Sequence, residues 1–198
     1  VFEKQGVLLA GGYSRRFGTP KAFAERDGIN FYKYSIQAMA PFTDSISIVT
    51  NSTLEQKFME SETSYDVYVD LEEFQGQGPL VGILTVMERT EAEWYVTAPV
   101  DVPFIDQEIY KRLTEAIDDS VHIVVPIVAD KIQPLIGLYH HSLKGLIKRQ
   151  LEHGKRAPKQ LFEHCCVKFV QMSDENKFLN INRQVDYDKY INKREQSQ

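Results

Sequence analysis

Short apolar runs alternate along the chain with apolar positions at helical spacing. Residues 6–10, 45–50 (SISIVT), 66–69, 94–98, 121–128, 132–140 and 166–172 are apolar or β-branched and predict strands. Between them, Phe31, Tyr34, Ser35, Ala38 and Phe42 recur at helical spacing, as do Leu80, Ile83, Leu84 and Met87. Ile109, Leu113, Ala116 and Ile117 form another such face, and Leu143, Leu146, Ile147 and Leu151 a further one. Residues 53–62 predict a helix capped by Thr or Ser, and residues 185–193 a terminal helix. The strands over 121–128 and 132–140 are expected to pair through Ala129-Asp130-Lys131. Strands alternating with helices predict an α/β sandwich built on a mainly parallel sheet. No repeat, low-complexity tract or linker divides residues 1–198, so one domain is expected, with a polar, frayed end over 193–198.

That architecture directs attention to one edge. Open α/β sheets bind ligands beyond the carboxyl ends of their strands. Four polar features fall there: a glycine-rich loop after the first strand, Asn51 after the second, Asp70 after the third and Asp101 after the fourth. Each alone is equally a turn residue or a helix cap. Four on one edge point to a pocket.

The glycine-rich loop is the most informative segment. The run ending at Leu8-Leu9-Ala10 meets Gly11 and Gly12, then Arg15, Arg16, Gly18 and Lys21. Glycine lets backbone N–H groups approach a ligand, and concave runs of N–H groups bind anions. Closely spaced cations repel unless a polyanion lies between them. A triphosphate fits, although a solvated turn has the same composition. Gly18 is followed by Thr19-Pro20-Lys21, which excludes a Walker loop, and Gly-Gly-x5-Gly is no dinucleotide fingerprint.

Composition narrows the remaining classes. The chain is 42% hydrophobic and 26% charged, with a net charge of −5, which gives no case for nucleic-acid binding. No apolar stretch approaches the roughly 20 residues that span a bilayer, and no signal peptide is visible, so no membrane role and a cytoplasmic location are expected. Cys165 and Cys166 are adjacent, which suits reduced structural thiols better than a disulfide or a zinc site. His140-His141 has no accompanying metal-binding pattern.

The string Leu9-Ala10-Gly11-Gly12-x-Ser14-x-Arg16-Phe17-Gly18-x-x-Lys21 resembles the L-A-G-G-x-S-x-R-M-G-x-x-K signature of the nucleotidyltransferases, with Phe17 in place of methionine. Within that superfamily it is most similar to the molybdenum cofactor guanylyltransferases; the related cytidylyltransferases usually carry Ala-Ala-Gly where this chain has Ala10-Gly11-Gly12. The resemblance implies a Rossmann-like, three-layer α/β/α nucleotidyltransferase fold. It implies a nucleotide-binding part over about 1–105 and an acceptor-binding part over about 106–190. Leu9, Ala10, Gly11 and Gly12 would then cradle the nucleotide. Lys21 would contact the α-phosphate under attack, and Arg16 the outgoing β- and γ-phosphates, whose oxygens suit a planar guanidinium. Asp101, between Pro99 and Pro103, resembles the family's Mg²⁺ ligand, although an Asp here also suits a helix cap; Asp106 is the better placed cap.

Asp70 and Asn51 resemble nucleotide-contacting residues, Asn51 being equally a turn residue. Residues 75–82 resemble the G-P-L-A-G segment that borders the base. Lys144, Lys148, Arg149, Lys155, Arg156, Lys159 and Lys168 form a basic stretch that suits either a phosphorylated acceptor or a solvated face. Phe178-Leu179-Asn180-Ile181-Asn182 resembles F-x-N-x-N; on a strand-like stretch both amides would face one pocket and pair with a pterin.

The implied reaction is transfer of GMP from GTP to the terminal phosphate of molybdopterin, with Mg²⁺ as cofactor and pyrophosphate as leaving group. Proteins that deliver the cofactor or receive the product would be its partners. The alternatives are CTP or a sugar phosphate as substrate, or a GTP-binding module without catalysis.

Overall fold

The computed structural model describes residues 3–12, 20–62 and 64–192. The elements are β1 (Lys4–Leu9), β2 (Glu25–Arg26), β3 (Ile29–Asn30), α1 (Phe31–Met39), β4 (Ser45–Thr50), α2 (Glu55–Ser61) and β5 (Asp66–Val69). There follow α3 (Pro79–Arg89), β6 (Trp94–Pro99), α4 (Gln107–Glu115), β7 (Ile123–Val128), β8 (Lys131–Ile132), β9 (Gly137–His140), α5 (Lys144–Glu152), β10 (Val167–Met172) and α6 (Gln184–Tyr187).

The main sheet runs β5-β4-β1-β6-β9-β7-β10, with β8 beside β7. Strand β1 is parallel to both neighbours, β4 and β6, while β9 is antiparallel to β6 and β7. The order therefore diverges from β1 in both directions, which opens a crevice at the carboxyl ends of β1, β4 and β6. Alternation along the strands explains the layers. Leu8, Ile48, Val96 and Ala98 face one side, with residues of α1, α2 and α4. Val7, Val49 and Tyr95 face the other, with residues of α3 and α5. Helix α3 is apolar almost all round, and every residue from Leu80 to Met87 is buried, so it packs closely across the crevice floor. This is the expected three-layer sandwich on a mainly parallel mixed sheet.

Four expectations need correction. The helix expected over 53–62 is α2, and no side chain caps it; the turn before it is closed by Asn51 Oδ1, which accepts from the N–H groups of Thr53 (3.0 Å) and Leu54 (3.2 Å). The strand expected over 132–140 breaks after Ile132, because Pro134 has no N–H for the ladder; β8 and β9 both lie along β7. The turn at Ala129 (φ 46°) and Asp130 (φ 58°) joins β7 to β8. The expected terminal helix is present, as α6 continued by a π-helix over Asp188–Asn192. Residues 179–182 form no strand. Asp106 does occupy the N-cap position of α4, but its carboxylate makes no capping bond and pairs with Lys177 instead.

Candidate active site

The carboxyl ends of β1, β4, β5 and β6 enclose a cavity of about 350 Å³. Its floor is the β1 terminus. Ala10 N–H donates to Val49 O (2.7 Å), Thr50 Oγ1 donates to Ala10 O (3.3 Å) and Asn51 Nδ2 donates to Gly11 O (3.2 Å). Three successive residues of the β4 end thus pin the start of the glycine loop. Leu9, Ala10, Gly11 and Gly12 all line the cavity. Asn51 is not among the lining residues: its amide holds Gly11 from behind and closes the turn that leads into α2.

Asp70 and Asp101 stand on opposite walls. Asp70 lies across from Gly11, where a Cβ would be 3.7 Å from Asp70 Oδ2. Burial pushes its carboxyl up to about 6, and no described side chain hydrogen-bonds to it. Asp101 follows β6. Burial raises its carboxyl too, opposed by the Lys21 ammonium and by its own backbone N–H. Lys21 Nζ lies 3.5 Å from Asp101 Oδ2 and donates to Asn182 Oδ1. Ile181 N–H donates to Asp101 O at 2.9 Å, so the 178–182 segment touches both halves of this pair.

The third wall is the turn into α3. Gly76 (φ +75°) and Gly78 (φ +96°) adopt backbone conformations that side chains strain, and Pro79 opens the helix. A Cβ on Gly82 would come 2.7 Å from Leu9 Cδ2, so glycine there lets α3 settle on β1. Gly76, Gly78, Pro79 and Gly82 line the cavity on this side, so the turn into α3 offers it backbone and no bulky side chain. Lys21 and the glycine backbone suit an anion. Asp101 suits a hard cation shared with that anion's oxygens, since Mg²⁺ is usually held by one or two carboxylates plus substrate phosphates. Among the described residues no cluster of three His, Cys, Asp or Glu has metal-site geometry, so a protein cage of zinc type is not the fit.

The remaining expected residues are less concentrated. Arg16 lies outside the described residues. Asn180 is exposed and does not line the cavity. Arg156 is exposed, and its Cβ lies 4.0 Å from where a Cβ on Gly78 would be, so it borders the turn before α3 rather than the Lys21–Asp101 pair. Of the other basic residues, Lys144, Lys148 and Lys168 pair with Glu88, Glu73 and Asp118, and none of the seven lines the cavity. Cys165 and Cys166 are free thiols.

Sequence reading missed two supports. Ser35 is fully buried and its hydroxyl donates to Pro99 O at 2.6 Å, fixing the end of β6; nothing in the pattern signals this. The β2–β3 hairpin beside Lys21 was legible in Asp27-Gly28, the preferred pair for a two-residue hairpin turn.

Residues 6–168 match the family described as MobA-like NTP transferase domain. A protein of Bacillus cytotoxicus named "Probable molybdenum cofactor guanylyltransferase" is 37% identical over 186 residues, covering 92% of this chain and 93% of its own length. One of the same name from Halalkalibacterium halodurans is 39% identical over 190 residues, covering 93% and 96%. Among solved structures, molybdopterin-guanine dinucleotide biosynthesis protein A of Archaeoglobus fulgidus superposes with a TM-score of 0.78 over 98% of this chain and 99% of its own; at 21% identity it speaks for the fold. No helix among the described residues is long and apolar enough to cross a membrane. In sequence as in architecture, the chain belongs to the MobA-like NTP transferase family.

Proposed function

We propose that this protein transfers GMP from GTP to the terminal phosphate of molybdopterin or its molybdenum-bearing form. Full-length relatives named as guanylyltransferases support the reading. The observation that carries it is the Lys21–Asp101 pair, 3.5 Å apart at the mouth of a glycine-lined cavity. An oxygen of the acceptor phosphate attacks the α-phosphorus of GTP. The new P–O bond forms as the bond from α-phosphorus to the bridging oxygen breaks, and pyrophosphate leaves with that electron pair. Such transfers depend chiefly on positioning and charge neutralisation.

In this reading the glycine backbone from Leu9 to Gly12 holds the phosphates and the turn before α3 borders the nucleoside. Lys21 neutralises the α-phosphate, and Arg16 the leaving pyrophosphate. Asp70 accepts hydrogen bonds from the nucleoside. Asp101 would hold a divalent cation, Mg²⁺ by its hard oxygen donor, which neutralises phosphate charge when bound. Asn182 beside Lys21, with Asn180 and Arg156 further out, would meet the acceptor. Residues up to about 105 thus serve the nucleotide and those from about 106 to 190 the acceptor. Enzymes that make or insert this cofactor in the cytoplasm would be the partners.

Calorimetric titration with GTP, CTP, ATP and UTP in Mg²⁺ tests the nucleotide assignment. GTP should bind at least about tenfold more tightly than the others, a difference of about 1.4 kcal/mol. Preference for CTP would overturn it.

A further inference from the structure

Lys21 and Asp101 come from separate loops, and two segments outside the cavity bind those loops together. The first is the β2–β3 hairpin, which begins four residues beyond Lys21. Asp27 (φ 52°) and Gly28 (φ 72°) make its turn and fix Arg26 on the strand. The Arg26 guanidinium lies over the ring of Tyr34 at 4.4 Å and that of Phe104 at 4.8 Å, and it donates to Pro103 O. Tyr34 Oη donates back to Arg26 O at 2.7 Å. Pro103 and Phe104 sit in the loop that begins at Asp101, so one planar cation joins the Lys21 segment to the Asp101 segment. A guanidinium can lay its plane on two rings while donating within that plane; an ammonium has no plane to stack.

The second segment is the C-terminal strap. Ile181 N–H holds Asp101 O, and Asn182 holds Lys21. Tyr187 Oη donates to Glu25 O at 2.6 Å, and its ring stacks on Phe31 at 6.0 Å. Ile181 and Ile191, both fully buried, pack with Ala24 and Phe31 in a small apolar cluster separate from the two main cores. That cluster consists of contacts between the strap and the segment following Lys21, with Phe104 at its edge. It does little for the sheet and much for the relation between the two loops.

We propose that Arg26 and Tyr187 are positioning residues that clamp the Lys21 loop onto the Asp101 loop, and thereby set the rate of transfer rather than the affinity for nucleotide. The inference rests on the transfer reaction proposed above. Its physical ground is that a misplacement of about 1 Å far from the chemistry can slow a positioned reaction by about 100-fold.

Arg26→Met keeps an apolar stem without charge, Arg26→Lys keeps charge without the fork, and Tyr187→Phe deletes one hydroxyl while keeping the ring. Steady-state transfer, GTP calorimetry, thermal melting and amide hydrogen exchange are measured on each. Arg26→Met and Tyr187→Phe should lower kcat by about 10- to 100-fold, as misplacement predicts, with the Kd for GTP within about threefold of wild type and exchange at Ile181 and Phe31 accelerated. Arg26→Lys should not rescue kcat. Wild-type kcat in Arg26→Met and Tyr187→Phe, or a loss explained by unfolded protein in the melts, overturns the clamp while leaving the transferase reading in place. Absence of transfer by the wild-type protein, given GTP, Mg²⁺ and molybdopterin, overturns the transferase reading and the rate claim together.

Discussion

The two walls of the cavity carry one carboxylate each, and their surroundings differ. Asp101 ends β6, faces Lys21 at 3.5 Å, and has its carbonyl held by Ile181. Asp70 ends β5 opposite Gly11 and meets no described cation, so burial alone sets its behaviour and lifts it to about 6. A buried carboxylate without a partner is unfavourable on its own. Such a group is suited to a ligand that brings hydroxyl or N–H donors. In the proposed reaction the Asp101 wall would meet charge during transfer, and the Asp70 wall the nucleoside before it.

The largest effect should follow from the Asp101 wall. Lys21→Met and Asp101→Asn should each reduce transfer by at least about 10²–10³-fold with circular dichroism unchanged, because both remove charge stabilisation where it develops. Asp70→Asn should instead weaken GTP binding by about tenfold, the worth of one hydrogen bond to a charged group, with kcat nearly preserved. Equal kcat losses on both walls would erase the distinction. On the third wall, Gly78→Ala places a side chain at φ +96°, ψ −173°, a backbone region nearly confined to glycine, and should destabilise the fold by about 1–3 kcal/mol; urea unfolding reads this directly.

Stability sharpens the comparison further. The folded Asp70 carboxyl holds its proton up to about pH 6, whereas the unfolded one releases it near the ordinary carboxylate value of 3.8. Between those values the folded state binds more protons, so the Asp70 contribution falls as pH rises and its full cost stands above about pH 6. Asp70→Asn should therefore stabilise the protein at pH 7.5, by less than the roughly 3 kcal/mol of the full shift because the carboxyl is part exposed and screened, and leave it nearly unchanged at pH 3, read by urea unfolding. The smallest effect is a proton count. If GTP donors restore the Asp70 charge, binding at pH 6 should release up to about half a proton, seen as buffer-dependent calorimetric enthalpy.

The walls also differ in how much the sequence disclosed. Strands β4 and β5 coincide with the patterns over 45–50 and 66–69, because alternating β-branched residues between sheet layers leave few other solutions. The strand-end positions of Asp70 and Asp101 followed directly. Asn51 was placed on the right edge, but that its amide is used up on Gly11 and α2 depends on atoms from three segments. Contacts between Lys21 and Asn182 span 161 residues and carry no periodic signal. Strands of two residues, such as β2 and β3, are too short for alternation, so Arg26 was invisible except through its Asp-Gly turn.

Incubating the purified protein with molybdopterin, Mg²⁺ and each nucleoside triphosphate in turn, and following both pyrophosphate and the dinucleotide product, tests the central claim most directly. Pyrophosphate and a guanine dinucleotide formed together from GTP, and lost in Asp101→Asn, are the result predicted. A cytosine dinucleotide from CTP, or tight GTP binding with no product, would contradict it.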